Sequence, residues 1–373
     1  MFKTKNALWN INSHNFFRTK GLNMSYIYFE DDDFDNMLEV INSQQMCYHP
    51  VYAPDGQFTV KNIFKLDSKD KDITIIADNN LVSPICEIAK KGRLNNELRM
   101  QKVAMFVTWT KSIHARLTCG VSLFENDTVG LATIPGEEYR LTFLHALDNI
   151  PAQIWKEIAF AYRDSIPDVF LYTGVIEETK EYQFGDNLLL LSNEAAMVKM
   201  VQLIRNSELT AIDKFIDFMN WYADNLDIAE SVVVYAAMIF ANIPDVAPPK
   251  NAKVKDYQKV VKGIKNQTWD VTYITLWSMF YYRDENGKNT MFATDDETQK
   301  RIVLNIIPTG EWSNAISAIF TTKNERKKLQ GLWEMKFGDS RIRPFTNMQD
   351  EEKVLTVKKL LSHEYEVLKK MLL

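Results

Sequence analysis

Cysteine is scarce in this chain of 373 residues: Cys47, Cys86 and Cys119 are the only three. They form no Cys-x-x-Cys pair and are too few for a disulfide framework, so reduced and mostly buried thiols are expected. The histidines (His14, His49, His114, His145 and His363) form no group with metal-ligand spacing. His145 sits in an apolar helical stretch, where a packed or hydrogen-bonded role is expected. A glycine-rich phosphate loop is missing, which disfavours nucleoside triphosphate hydrolysis of the P-loop kind. The longest apolar run, "VVVYAAMIFA" at 232–241, is far shorter than the roughly 20 residues that span a bilayer. It reads as a buried helix. The start, "MFKTKNALWNINSHNFF", has no apolar core of a signal peptide. The expectation from these absences is a cytoplasmic protein with no membrane partner.

What is present is ordinary in proportion. Hydrophobic residues make up 46% and charged residues 25%, with 44 basic against 49 acidic side chains and a net charge of −5. Such a balance argues against a uniformly positive coat but permits a local basic patch. Residues 1–70 look irregular: "YFEDDDFDNMLEVI" suggests a short strand and then an acid-started helix, and "YAPDGQFTV" a turn into a strand. The acids Glu30–Asp33 are expected to be a solvated helix start. "DITIIADNNLVSPICEIAKKG" reads as a strand, "ITIIA", ending at Asp78, then a helix capped by Ser83, begun by Pro84 and closed by Gly92. Helical periodicity runs on both sides of Pro151 and through about 186–243. Asp213 and Asp217 share a face there and are expected to be solvated. "TMFATDD", after a turn, reads as a short strand. The tail beyond about 310 looks helical.

Two segments share one layout. "ITIIADNN" and "NTMFATDD" both run apolar residues straight into acid. In open parallel α/β sheets the functional crevice lies beyond the carboxyl ends of the strands. Neighbouring strands would therefore bring Asp78 and Asp295 together, with Glu125 and Asp270 available to complete a cluster. Carboxylates converging without cysteine or histidine favour a hard ion such as Mg²⁺ or Mn²⁺. Such an ion can activate water and offset charge on a phosphodiester transition state. Taken singly, each acid also reads as a helix cap or a surface group.

"IIADNNLVSP" resembles the opening signature of the PIN-domain nucleases, in which an apolar strand ends in Asp followed by a small or polar residue and Asn. "FATDDE" is similar to the late strand of that family, and "TWDVTYITL" to the helix carrying its penultimate acid. The resemblance places Asp78, Asp270 and one of Asp295 and Asp296 on the metal-binding acids. Thr-x-Asp spacing from Thr294 selects Asp296, while nearness to the strand end favours Asp295. Glu125 in "GVSLFE" matches the early helical acid, and Asn80 the residue that steadies the first aspartate. The resemblance implies an α/β/α sandwich with a central, mainly parallel sheet. It also implies divalent-metal-dependent hydrolysis of RNA, with Asp78, Glu125, Asp270 and Asp295 as catalytic acids. The long gap from Glu125 to Asp270 then calls for a helical insertion near 140–250 within a nuclease domain of 71–310. Residues 1–70 form an extension before that domain, and 311–373 a helical one after it.

RNA contact needs a positive surface. Lys90, Lys91 and Arg93 stand near the end of the helix that follows Asp78, and Lys250, Lys253, Lys255, Lys259, Lys262 and Lys265 precede Asp270. Either cluster would give salt-dependent, sequence-blind affinity, or simply a solvated face. The competing readings are an inactive PIN-like scaffold and a phosphohydrolase acting on small phosphate esters. Both a homo-oligomer and a regulatory protein partner remain compatible with the chain.

Overall fold

Four short strands form one mixed sheet in the order β1-β4-β2-β3. They are β1 (Cys47–Tyr48), β2 (Thr74–Ala77), β3 (Arg116–Thr118) and β4 (Thr290–Ala293). In this computed structural model residues 32–67, 73–128, 136–174, 186–283, 288–307, 312–337 and 344–373 are described. β2 runs parallel to both β3 and β4, whereas β1 closes one edge antiparallel to β4. The chain is α/β in class but predominantly helical, with a small mixed sheet.

The described residues divide into two compact units. The first draws on Met1–Phe184 and Trp277–Asp296 and contains the sheet. Its helices are α1 (Asp33–Ser43), α2 (Val60–Asp67), α3 (Asn79–Lys91), α4 (Glu97–Ser112), α5 (Gly120–Thr128), α6 (Gly136–Asp148) and α7 (Ala152–Ala159). Met100 and every residue from Val103 to Thr110 of α4 are buried, because α7 and α1 both pack on that helix. α3 packs on α6. Ile75, Ile85, Phe106, Trp109 and Trp155 belong to the shared core. β-branched residues suit the pleated, covered surface of β2, where Ile75 is wholly buried.

The second unit draws on Gly185–Leu276 and Glu297–Leu373 and is helical. It contains α8 (Leu188–Arg205), α9 (Ala211–Asn225), α10 (Glu230–Phe240), most of α11 (Tyr257–Arg283), α12 (Glu297–Ile306), α13 (Trp312–Ile319), α14 (Lys323–Lys336) and α15 (Asp350–Leu372). The apolar run singled out in the sequence is α10, buried from Ser231 through Phe240. α15 packs along α8, and a capping box of Thr322 and Glu325 starts α14. Among the described residues no helix is long and apolar enough to cross a membrane. The segment 140–250, expected as a helical insertion, contributes helices to both units. α6 and α7 belong to the sheet-bearing unit, and the helices from Leu188 onward join the C-terminal ones.

Asp33, expected at a solvated helix start, is instead buried and paired with Lys156, and two further local expectations need correction. α3 starts at Asn79 rather than Pro84, because Asp78 is its N-cap and accepts the Leu81 N–H at 3.3 Å. Pro84 lies inside the helix, whose C-cap is Gly92 at φ +76°; a Cβ there would meet the Ile166 carbonyl oxygen at 3.1 Å. The strand expected after Gly56 is absent, since α2 follows instead. Asn42 exchanges two 2.8 Å hydrogen bonds with the backbone N–H and carbonyl of Phe58, so a side chain takes the place of a ladder partner. The short strand expected before Asp32 lies outside the described residues.

Candidate functional site

β2 and β4 are in parallel register, with Ala77 opposite Ala293, so Asp78 and Thr294 leave the sheet at the same end. The pairing continues one step further through the Asp78 N–H, which donates to the Ala293 carbonyl at 2.9 Å. Thr294 donates its backbone N–H to Met46 at 3.0 Å, which anchors the other side of this end to the chain before β1.

Thr294 joins the acids on the two strands. Its hydroxyl donates to Asp78 Oδ2 at 2.5 Å and accepts the Asp296 N–H at 2.9 Å. Asp78 is 1% exposed. Asn80 Nδ2 donates to its Oδ2 at 3.3 Å, and the capping bond from Leu81 occupies Oδ1. Burial pushes the Asp78 carboxyl up from 3.8 to about 7. The Thr294 bond opposes that rise, the charge of Asp296 adds to it, and the bonds from Asn80 and Leu81 oppose it again.

The two adjacent aspartates therefore have different surroundings. Asp296 opposes ionisation of Asp78, while Asp295 forms an ion pair with Lys102 of α4. Both aspartates are partly exposed. Thr-x-Asp spacing from Thr294 thus coincides with the acid that Asp78 senses.

α5 lines the same strand end. The Ser122 hydroxyl lies 3.5 Å from the Ala77 carbonyl, and Glu125, one turn on, is 9% exposed. Asn79 and Asn126 exchange side-chain hydrogen bonds at 3.3 and 3.4 Å, and the Tyr139 hydroxyl of α6 donates to Asn79 Oδ1 at 2.8 Å. Burial holds the Tyr139 phenol well above its ordinary range, with nearby Cys86, Cys119 and Glu125 adding to the rise.

Other expected residues are placed as follows. Asp270 belongs to the second unit, where Gln299 donates to its Oδ1 at 3.1 Å. Lys90 is paired with Glu138 and Lys91 with Glu87, while Arg93 is exposed. Lys259, Lys262 and Lys265 are exposed residues of the second unit, and Lys259 pairs with Asp256. Asp213 is a partly exposed residue in the first turn of α9, paired with Lys328. His145 bonds to the Phe170 carbonyl at 2.8 Å.

Sequence reasoning missed Lys102, Tyr139, Asn79 and Asn126. Lys102 had a signal: it is the one cation between Met100 and Thr110 of a helix otherwise apolar enough to be buried.

Among the described residues no three or more His, Cys, Asp or Glu side chains gather as a metal-holding group. The donor chemistry still suits Mg²⁺, which commonly uses one or two carboxylates and leaves its other positions to water and substrate phosphate. Asp78 and Asp296 offer such a pair of hard oxygen donors. No protein-family model, curated protein or solved structure matches the chain.

Proposed function

We propose that this chain is a divalent-cation-dependent ribonuclease built on a PIN-like α/β/α core, with Asp78 and Asp296 as its central acids. The observation that carries the reading is that Asp78 and Asp296 follow the same end of adjacent parallel strands, close enough for the charge of Asp296 to oppose ionisation of Asp78. Such a pair is costly without a compensating cation, and that strand end is where open α/β sheets place ligands. Glu125, on the helix that touches the end of β2, is the accessory acid.

Thr294 holds both acids in register by accepting from the Asp296 backbone and donating to Asp78. Asn80 fixes the rotation of the Asp78 carboxylate through Oδ2. Because Asp78 is buried and Asp296 is partly exposed, a substrate reaches the pair from the Asp296 side. A divalent ion held by these carboxylates supplies a lowered water pKa and charge compensation at the scissile phosphate. The preference for RNA follows the PIN-domain resemblance.

A second reading treats Asp78 as a structural tie. Three donors already point at its carboxylate, and one of those bonds caps α3. The two readings part on one experiment. A mixed RNA pool is incubated with the protein in Mg²⁺ or Mn²⁺, and the same reaction is run in EDTA. Cleavage in metal, its loss in EDTA, and a fall of about 100-fold or more in both Asp78→Asn and Asp296→Asn are expected. Asp213→Asn retains full rate. Metal-dependent cleavage that survives both central substitutions refutes this site. If the protein neither cleaves RNA nor gains thermal stability from Mg²⁺, the structural-tie reading stands.

A further inference from the structure

The strongest unassigned group beside the proposed centre is Lys102. It projects from α4, a helix whose residues from Val103 to Thr110 are all buried, and it ends on Asp295 at the carboxyl end of β4. Asp295 immediately precedes the acid that Asp78 senses. The side chains of Lys102 and Asp295 are 23% and 25% exposed, so the pair lies at the boundary between protein and solvent.

A purely structural ion pair at such a boundary contributes little. Solvent-accessible pairs are worth roughly 0–1 kcal/mol, because solvent screens the attraction and two side chains lose freedom. The placement matters more. An ammonium group has three N–H donors and accepts nothing. The bond to Asp295 uses one of them, and the partial exposure leaves the head open to a further acceptor. Asp295 fixes where that head is held, beside a centre whose other charged side chains (Asp78, Asp296 and Glu125) are acids. A polyanion approaching these acids is repelled unless a cation stands at the entrance. Among the five residues of this constellation with ionisable side chains, Lys102 is the one with the right sign.

We propose that Lys102 is the substrate-positioning residue of this site, donating to a non-bridging oxygen of the RNA phosphate that enters beside Asp296, with Asp295 holding it in place. The inference rests on the ribonuclease reading above. Under it Asp295 serves the site by orienting a cation, which gives the two adjacent aspartates different tasks. No covalent step is assigned to the lysine. The phosphate contact forms when substrate binds and breaks when product leaves.

The test separates binding from turnover. Single-stranded RNA is titrated into the full chain by fluorescence anisotropy in EDTA, and cleavage is measured separately in Mg²⁺. Lys102→Gln is expected to weaken binding about 10-fold and to raise KM while changing kcat little, as a lost ground-state phosphate contact does. The slope of log K against log salt should become shallower by about 0.7, the change expected for one phosphate contact to a single strand. Lys102→Arg should restore most of the affinity, and Asp295→Asn should produce a smaller loss of affinity than Lys102→Gln. Thermal midpoints of all variants are recorded, since a merely structural lysine would move those and leave the salt slope alone. Wild-type cleavage that depends on metal and on Asp78, together with an unchanged KM and salt slope in Lys102→Gln, overturns the lysine assignment and spares the ribonuclease reading. A wild type that binds no RNA and cleaves none overturns both.

Discussion

Asp78 is the residue at which stability and the proposed chemistry make opposing demands, and replacing it with asparagine measures the conflict. Its carboxyl titrates at about 7 in the fold against 3.8 when unperturbed, with burial as the largest cause. The sign follows from linkage. A raised folded pKa gives a contribution that is fully present below the unfolded value and is lost as pH rises through the folded one. Above pH 8 or so, ionising this buried group costs the fold about 4 kcal/mol; near pH 5 about 2 kcal/mol of that cost is already in place. Asparagine has no charge to bury and is as good an N-cap as aspartate. It does lose acceptor capacity. Three donors converge on Asp78, from Leu81, Thr294 and Asn80, and an amide offers one oxygen beside an NH₂ group. That mismatch costs about 1–2 kcal/mol at any pH. Asp78→Asn should therefore be nearly neutral near pH 5 and stabilising by about 2 kcal/mol near pH 8, a swing of about 2 kcal/mol. Urea unfolding in EDTA, read by pulsed hydrogen labelling of the Asn79–Lys91 peptide, reports the unit that holds the site. The variant's stability difference from the parent should then depend on pH. A difference that is the same at both pH values refutes the electrostatic account of Asp78.

Two further predictions concern packing. The ion pair of Lys156 with Asp33 is 2.5 Å long, and its side chains are 4% and 8% exposed. Lys156→Met leaves a buried carboxylate without this partner and should cost about 3–5 kcal/mol in urea unfolding. Adding Asp33→Leu should recover most of that loss, and a double variant no better than the single one would refute the argument. Gly263 and Gly331 both lie in helices, where alanine is ordinarily better by about 1 kcal/mol, yet opposite outcomes are expected. A Cβ on Gly263 would fall 1.7 Å from the Lys250 carbonyl oxygen, whereas one on Gly331 meets nothing within 4 Å. Gly331→Ala should raise the thermal midpoint slightly and Gly263→Ala should lower it sharply. Similar midpoints for the two would show that α11 does not approach the backbone at Lys250.

Most of the helices were legible because their signals are local. α10 announced itself by a run too short for a membrane and too apolar for a surface. α8 and α9 showed apolar residues three and four apart. The failures have equally local causes. Pro84 is a strong start signal, but Asp78 supplies a side-chain cap five residues before the expected Ser83, and the helix begins where a donor is first satisfied. The segment after Gly56 carries β-prone residues, yet its backbone groups are taken by the Asn42 side chain from 16 residues away. Nothing within the segment itself could have shown that. The unit boundaries were hidden for a related reason. α6 and α7 have the same periodicity as α8 and α9, and periodicity does not say against which core a helix packs.

The site repeats this division between what is local and what is not. Two apolar strands each running into acid could be read from the chain, and the parallel register of β2 with β4 brings their ends to one edge. The division of labour between Asp295 and Asp296 could not. Residue order makes Asp295 the nearer to the strand, but a side chain's direction is set by the backbone turn that follows. Here Thr294 accepts the Asp296 N–H, leaving Asp296 as the acid that influences Asp78. Asp295 is instead claimed by Lys102, a residue 193 positions earlier in the chain. A cation committed to one of two adjacent acids makes the pair unequal. Asp296, whose charge Asp78 senses, is the better candidate to meet an incoming ion, and the cation held on Asp295 is the better candidate to meet an incoming phosphate. Replacing the two acids one at a time tests this asymmetry with the same loss of one negative charge in each variant: Asp295→Asn with Asp296 intact should keep most turnover, and the reciprocal variant should not. Equal losses from the two substitutions would show that the adjacent acids act as one group.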